Sequence, residues 1–223
     1  MTLFSRLSCG PIPLLLHGDL LDPWCWLAEQ RICVAAEELH GLYMPLEHAP
    51  FPRRWEPRAP GAAERRNRAR ELRRAAEEPD APPFSTELWA GADGPQSTAP
   101  PHIAVSAARM QGPAAAAALR EALRSAALVS GVDVTRSDVI LEIASRAGLD
   151  LERFVPAFQA PGTERALRAD VEEACELGIG ACPSLVINDE WLVSGARSLR
   201  DYRLLLKRYL ARGAGVPMEH IVH

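Results

Sequence analysis

The chain has 223 residues, 48% of them hydrophobic and 24% charged, with a formal net charge of −4 at pH 7. That is enough apolar material for one substantial core or two modest ones, and the interspersed charge implies neither nucleic acid nor an anionic membrane as a general partner. Five cysteines, at 9, 25, 33, 175 and 182, are too few and too irregularly spaced for the disulfide framework of a small secreted domain, so they are expected to be mostly reduced.

Near the N-terminus only a short, proline-broken apolar run at 12–16 stands out. No small-residue cleavage site follows it, and Arg6 sits where a lipoprotein signal around Cys9 would want an apolar residue. No apolar run reaches the length of a membrane span. The expectation is a cytoplasmic protein.

In chain order, the apolar run at 13–20 predicts a buried strand, and the pattern at 26–39 a helix closed by Gly41. A second short apolar run at 42–46 completes a strand, helix, strand unit, whose crossover joins parallel strands. Composition shifts at Pro50. Nine arginines fall between 53 and 74, but acidic residues interleave them and aromatic stacking partners are nearly absent, so a solvated helix at 62–77 is expected rather than an RNA-binding strip. A loop over 86–101 carries one anchor, Trp89.

Helices are then expected at 102–111 and 114–129, and a third behind a capping box of Thr135 with Asp138. A fourth opens at Asp150, and a fifth runs over 164–177 with Leu167, Val171, Ala174 and Cys175 on one inward stripe. After Gly178 the period becomes extended: a strand at 184–187, a turn at 188–190, a strand at 191–194. Ser198 and Asp201 cap a last helix through Tyr209.

Asp22-Pro23-Trp24-Cys25-Trp26 marks where the first strand hands over to the first helix. Asp is a favoured N-cap and Pro a favoured first helical residue, so Asp22 is the expected cap and Cys25 the third helical residue. The positive end of the helix dipole there stabilises thiolate over thiol. The plainer alternative is that Cys25 is packing.

The order strand, helix, strand, helical block, strand, strand, helix, together with two motifs, resembles the thioredoxin superfamily, and within it the DsbA-like group that includes FrnE and the 2-hydroxychromene-2-carboxylate isomerases. The first motif, Asp22-Pro23-Trp24-Cys25-Trp26, is similar to that family's two-cysteine redox site. The second, Gly180-Ala181-Cys182-Pro183-Ser184, is similar to the turn that brings a cis-proline into a strand. The resemblance implies an α/β thioredoxin fold, a four-stranded mixed sheet with flanking helices, interrupted by an all-helical insertion. The segments expected are 10–50 and 166–212 for the thioredoxin fold, 51–165 for the insertion and 213–223 for a C-terminal tail.

The same resemblance implies that Asp22 stands where redox members carry their first cysteine, and that Cys182 faces the motif across the cleft. A carboxylate cannot attack a disulfide, and its charge opposes a nearby thiolate. The expectation is an atypical thiol–disulfide oxidoreductase with Cys25, Cys182 and Asp22 as catalytic residues and Pro183, Trp24 and Trp26 lining the substrate groove. The alternatives are a redox-inactive binding module using the groove beside Pro183, and an isomerase or transferase using a thiol cofactor. No metal or resident cofactor is expected, with glutathione or another small thiol as the candidate ligand if one binds. A metal held by Cys25, Cys182 and His17 lacks any ligand-pair spacing. The expected partner is a protein thiol, a peptide or a small molecule in the cleft, not nucleic acid or membrane.

Overall fold

The computed structural model describes residues 11–39, 43–90, 94–212 and 219–221. Cys9, Gly41, the beginning of the strand expected at 42–46 and the stretch 213–218 lie outside the described residues. The elements in order are β1 (Leu14–Gly18), α1 (Pro23–Glu37), β2 (Leu46–Pro50), α2 (Ala62–Ala76), α3 (Ala99–Ala108), α4 (Pro113–Leu128), α5 (Ser137–Arg146), α6 (Leu151–Gln159), α7 (Pro161–Glu176), β3 (Ser184–Ile187), β4 (Trp191–Ser194), α8 (Leu199–Arg212) and β5 (Glu219–Ile221). They divide into a sheet unit, built from the segment ending at Gly18, Trp24–Ala49 and the chain from Ile179 onward, and a helical unit of Asp19–Pro23 and Pro50–Gly178.

In the sheet unit the strand order is β2-β1-β3-β4-β5. β1 runs antiparallel to β3, with Leu14 opposite Ile187 and His17 opposite Ser184, and β3 antiparallel to β4. The chain before β2 meets β1 through Ile12 N–H to Tyr43 O and Leu14 N–H to Pro45 O, both 2.9 Å. Both residue numbers climb together, which is a parallel pairing closed over α1. The four expected strands are present. β2 itself lies at 46–50, later than the 42–46 run, because an edge strand with half-buried and exposed residues does not read as an apolar run. β5 pairs parallel with β4, so the described end of the expected tail is a fifth strand.

The core of this unit follows from the period-two and period-3.6 patterns. Leu14 and Leu16 of β1, Leu185 and Ile187 of β3, and Trp191 and Val193 of β4 pack with Ala28, Ile32 and Ala35 of α1 and Tyr202 and Leu206 of α8. Each large member is worth about 1.5–3 kcal/mol of transfer free energy. Trp191 meets Tyr209 edge-on at 5.5 Å. The β3–β4 turn places Asn188 and Asp189 at φ 51° and 55°, the paired left-handed conformation of a tight hairpin turn. Ser198 Oγ accepts from Asp201 N–H at 3.1 Å and caps α8.

In the helical unit α3 starts at Ala99, earlier than the expected 102, because Pro100 and Pro101 fit the first turn, where missing amide donors leave nothing unpaired. Trp89 is buried in a short 3-10 turn, Glu87–Trp89. The capping box does not form: Arg136 holds the N-cap position of α5, while Thr135 Oγ1 donates instead to Asp133 Oδ1 at 2.6 Å. Asp150 does cap α6, accepting from the amides of Glu152 and Arg153. Along α7, Leu167, Val171 and Ala174 are buried but Cys175 is exposed, against the core position expected for it. One residue past Ala174 is about 100° further round the helix and off the inward stripe. α7 packs with α3 and α6, and the helical unit reaches Gly178, beyond the expected boundary at 165.

Candidate functional site

Two sulfurs meet in the sheet unit. Cys25, third residue of α1, and Cys182, on the turn before β3, bring their Sγ atoms within 4.8 Å of each other. They are not joined by a disulfide. Cys25 is 6% exposed and Cys182 half-buried.

The turn carrying Cys182 is fixed from both ends. The Cys182–Pro183 peptide is cis. Pro183 O accepts from Gly195 N–H at 2.7 Å, tying the turn to the end of β4, and Ser184 Oγ donates to Ala181 O at 2.7 Å. Cys25 is placed by the first turn of α1 and by Gly18 at the end of β1: a Cβ on Gly18 would stand 3.4 Å from Cys25 Cβ and 3.6 Å from its Sγ. Nothing in the pattern of residues marked Gly18 as part of the site, because its contribution is the absence of a side chain.

Also buried in this unit are Tyr202 and Arg31, and Arg31 Nη1 donates to Arg197 O at 3.0 Å. Burial pushes the Tyr202 phenol up to about 12, against the opposing pull of the Arg197 amide and the Arg197 and Arg31 charges. Tyr202 is therefore a neutral hydroxyl at pH 7. Burial lowers the pKa of His17, so that ring is neutral as well. His17 does not join the two sulfurs in a ligand-spaced group. Of the aromatic residues assigned to the groove, Trp24 is half-buried and Trp26 buried, at 7% exposure.

Asp22 belongs to the helical unit, 4% exposed, with its carboxylate accepting from the Arg53 guanidinium. Its negative charge is thus answered by a cation. Asp19, also in that unit, anchors three stretches of chain. Oδ2 accepts from Arg53 N–H and from Thr98 Oγ1, each at 2.7 Å, and Oδ1 from Leu21 N–H at 2.9 Å. Burial alone would push this carboxyl up. The adjacent His102 ring and the amides of Arg53 and Leu21 outweigh it and hold the group below its usual value. His102 Nε2 lies 3.2 Å from Leu20 N and 3.5 Å from Asp19 Oδ1. Sequence reasoning missed this cluster, because a lone Asp and a lone His eighty-three positions apart carry no spacing signal.

Residues 16–207 match the model of the DSBA-like thioredoxin domain. The ClpXP adapter protein SpxH of Halalkalibacterium halodurans is 31% identical over 104 residues, a match covering 47% of this chain and 34% of that one. The chain thus matches about a third of that relative's length. Among solved structures, a Nitrosomonas europaea protein provisionally assigned as a protein disulfide isomerase superposes with a TM-score of 0.77 at 20% identity, over 92% of this chain and 100% of that one. The cytosolic disulfide reductase DsbM from Pseudomonas aeruginosa, solved with GSH, superposes with a TM-score of 0.65 at 24% identity, over 89% of this chain and 99% of the other. At these identities the structures speak for the fold. No helix among the described residues is long and apolar enough to cross a membrane. With 16–207 inside its model, the chain belongs to the DsbA-like thioredoxin-domain family.

Proposed function

We propose that this protein is an atypical thiol–disulfide oxidoreductase whose redox pair is Cys25 with Cys182, and in which Asp22 occupies the place of the usual first cysteine. The observation that carries the proposal is the approach of the two sulfurs within 4.8 Å from separate elements of one unit. A disulfide needs about 2.05 Å between sulfurs, so closure asks for side-chain rotation and a short approach rather than a rearrangement of the sheet. Pro183 shapes the groove that receives the substrate, and half-buried Trp24 lines it. Asp22, paired with Arg53, weighs less against a thiolate than an unpaired carboxylate would. The substrate class is a protein or peptide thiol, with a small thiol such as glutathione as its minimal form. A cytoplasmic setting fits a chain with few, irregularly spaced cysteines.

Insulin reduction in the presence of dithiothreitol tests this on wild type, Cys25→Ser and Cys182→Ser. Wild type should accelerate precipitation of the insulin B chain, and both variants should fall to the uncatalysed rate. Activity that survives Cys182→Ser would remove the pair.

A second reading has its own support. The curated relative is named an adapter protein, which favours a redox-inactive binding module that keeps the groove beside Pro183. Background activity in all three proteins would select it.

A further inference from the structure

We infer that Cys182 is the thiol that meets the substrate's sulfur and Cys25 the thiol that resolves, an assignment that rests on the redox pair proposed above. In thiol–disulfide exchange an attacking sulfur reaches a disulfide sulfur through a mixed disulfide, and access decides which sulfur is engaged. The two thiols here differ in access. Cys25 is 6% exposed. Gly18 borders it on one side, where an added Cβ would stand 3.6 Å from its Sγ, ordinary van der Waals contact. The helix of which it is the third residue closes another side. The sulfur within its reach is that of Cys182. Cys182 is half-buried on a turn and follows two small, exposed residues, Gly180 and Ala181.

The chemistry follows in two balanced steps. A substrate disulfide is attacked by the Cys182 thiolate, which forms a mixed disulfide and releases one substrate thiolate. Cys25, giving its proton to solvent, then attacks Cys182 Sγ and expels the second substrate thiolate as the Cys25–Cys182 bond forms. The substrate gains two electrons and the chain loses two. Run backwards, a dithiol substrate is oxidised. In either direction the point of entry lies on the turn before β3 and not at the start of α1, so the substrate is presented to the end of the sheet's central strand rather than to a helix terminus.

The test uses the intact chain without mutation first. Limiting iodoacetamide is added to reduced wild type, and alkylation at the Cys25 and Cys182 peptides is followed by mass spectrometry. Cys182 should be modified first, by on the order of tenfold, in keeping with access control of thiol reactions. Equal rates, or Cys25 first, would overturn the assignment. The second arm uses the aromatic disulfide 5,5′-dithiobis(2-nitrobenzoate). Cys25→Ser should hold a stable mixed disulfide at Cys182, whereas wild type should release two equivalents of thiolate from this pair and yield the Cys25–Cys182 peptide. A stable mixed disulfide at Cys25 in Cys182→Ser, formed as fast as that at Cys182, would again overturn it. If Cys182 leads in both arms yet wild type never forms the internal bond, the redox pair fails while the order of access stands.

Discussion

Replacing Asp19 should weaken the fold by an amount that depends on pH. Its carboxylate accepts from two backbone amides and one hydroxyl in a fully buried position. Asp19→Ala strands the amides of Arg53 and Leu21, and buried unsatisfied donors cost about 1–3 kcal/mol each; Thr98 can turn its hydroxyl elsewhere, so a loss of about 3–5 kcal/mol is expected. Asp19→Asn is milder. Its amide oxygen can keep the Arg53 and Thr98 bonds at the Oδ2 position while the Leu21 bond is given up, for about 2 kcal/mol. The sign of the pH effect follows from the direction of the shift. The folded carboxyl is held below its ordinary value, so its contribution is full above the unfolded-chain value of about 3.9 and is lost as pH falls through the folded value. Urea unfolding of wild type and Asp19→Asn, followed by circular dichroism between pH 3 and 7, should show the gap widest at pH 5–7 and closing below pH 4. A gap under about 0.5 kcal/mol at pH 7, the size of an ordinary surface change, would refute the anchoring role, as would a gap that stays constant with pH.

Gly18→Ala should leave the thermal transition within a few degrees of wild type, since its Cβ meets Cys25 at ordinary contact distance, while slowing formation of the Cys25–Cys182 bond by crowding one sulfur; unchanged kinetics in a diamide-oxidation time course would argue against the contact. Asp189→Gly should stabilise the β3–β4 turn by about 1 kcal/mol, because glycine adopts φ near 55° without the penalty an L side chain carries; a lower melting temperature would contradict this.

The fold was legible where periodicity and punctuation agree. The β3–β4 hairpin was marked by Asn188-Asp189 between apolar runs, and α6 by Asp150, and both stand where those residues put them. Legibility failed where tertiary partners decide. β2 is half-exposed and so lacks the apolar run that marks a buried strand. Thr135 looked like a helix cap but bonds Asp133, which competes for it locally. In the site, Cys25 could be placed on the first turn by Asp22-Pro23, and Cys182 by Pro183. Gly18 could not, since a missing Cβ leaves no trace in a pattern of polarity, and the Asp19 cluster could not, since it assembles across stretches of chain that only folding brings together.

β5 changes what the sheet presents to other molecules. Without it β4 would be terminal, and its Leu192-Val193 stretch would offer a row of unpaired amides and carbonyls on apolar backbone, a template for adventitious strand addition. With it, the outer position passes to a strand of only three residues. At the opposite side β2 is closed by Pro50, which lacks the hydrogen a neighbouring chain would need. The sheet is thus poorly suited to lateral stacking at either margin, so association between copies would have to use side-chain surfaces rather than continuation of the ladder.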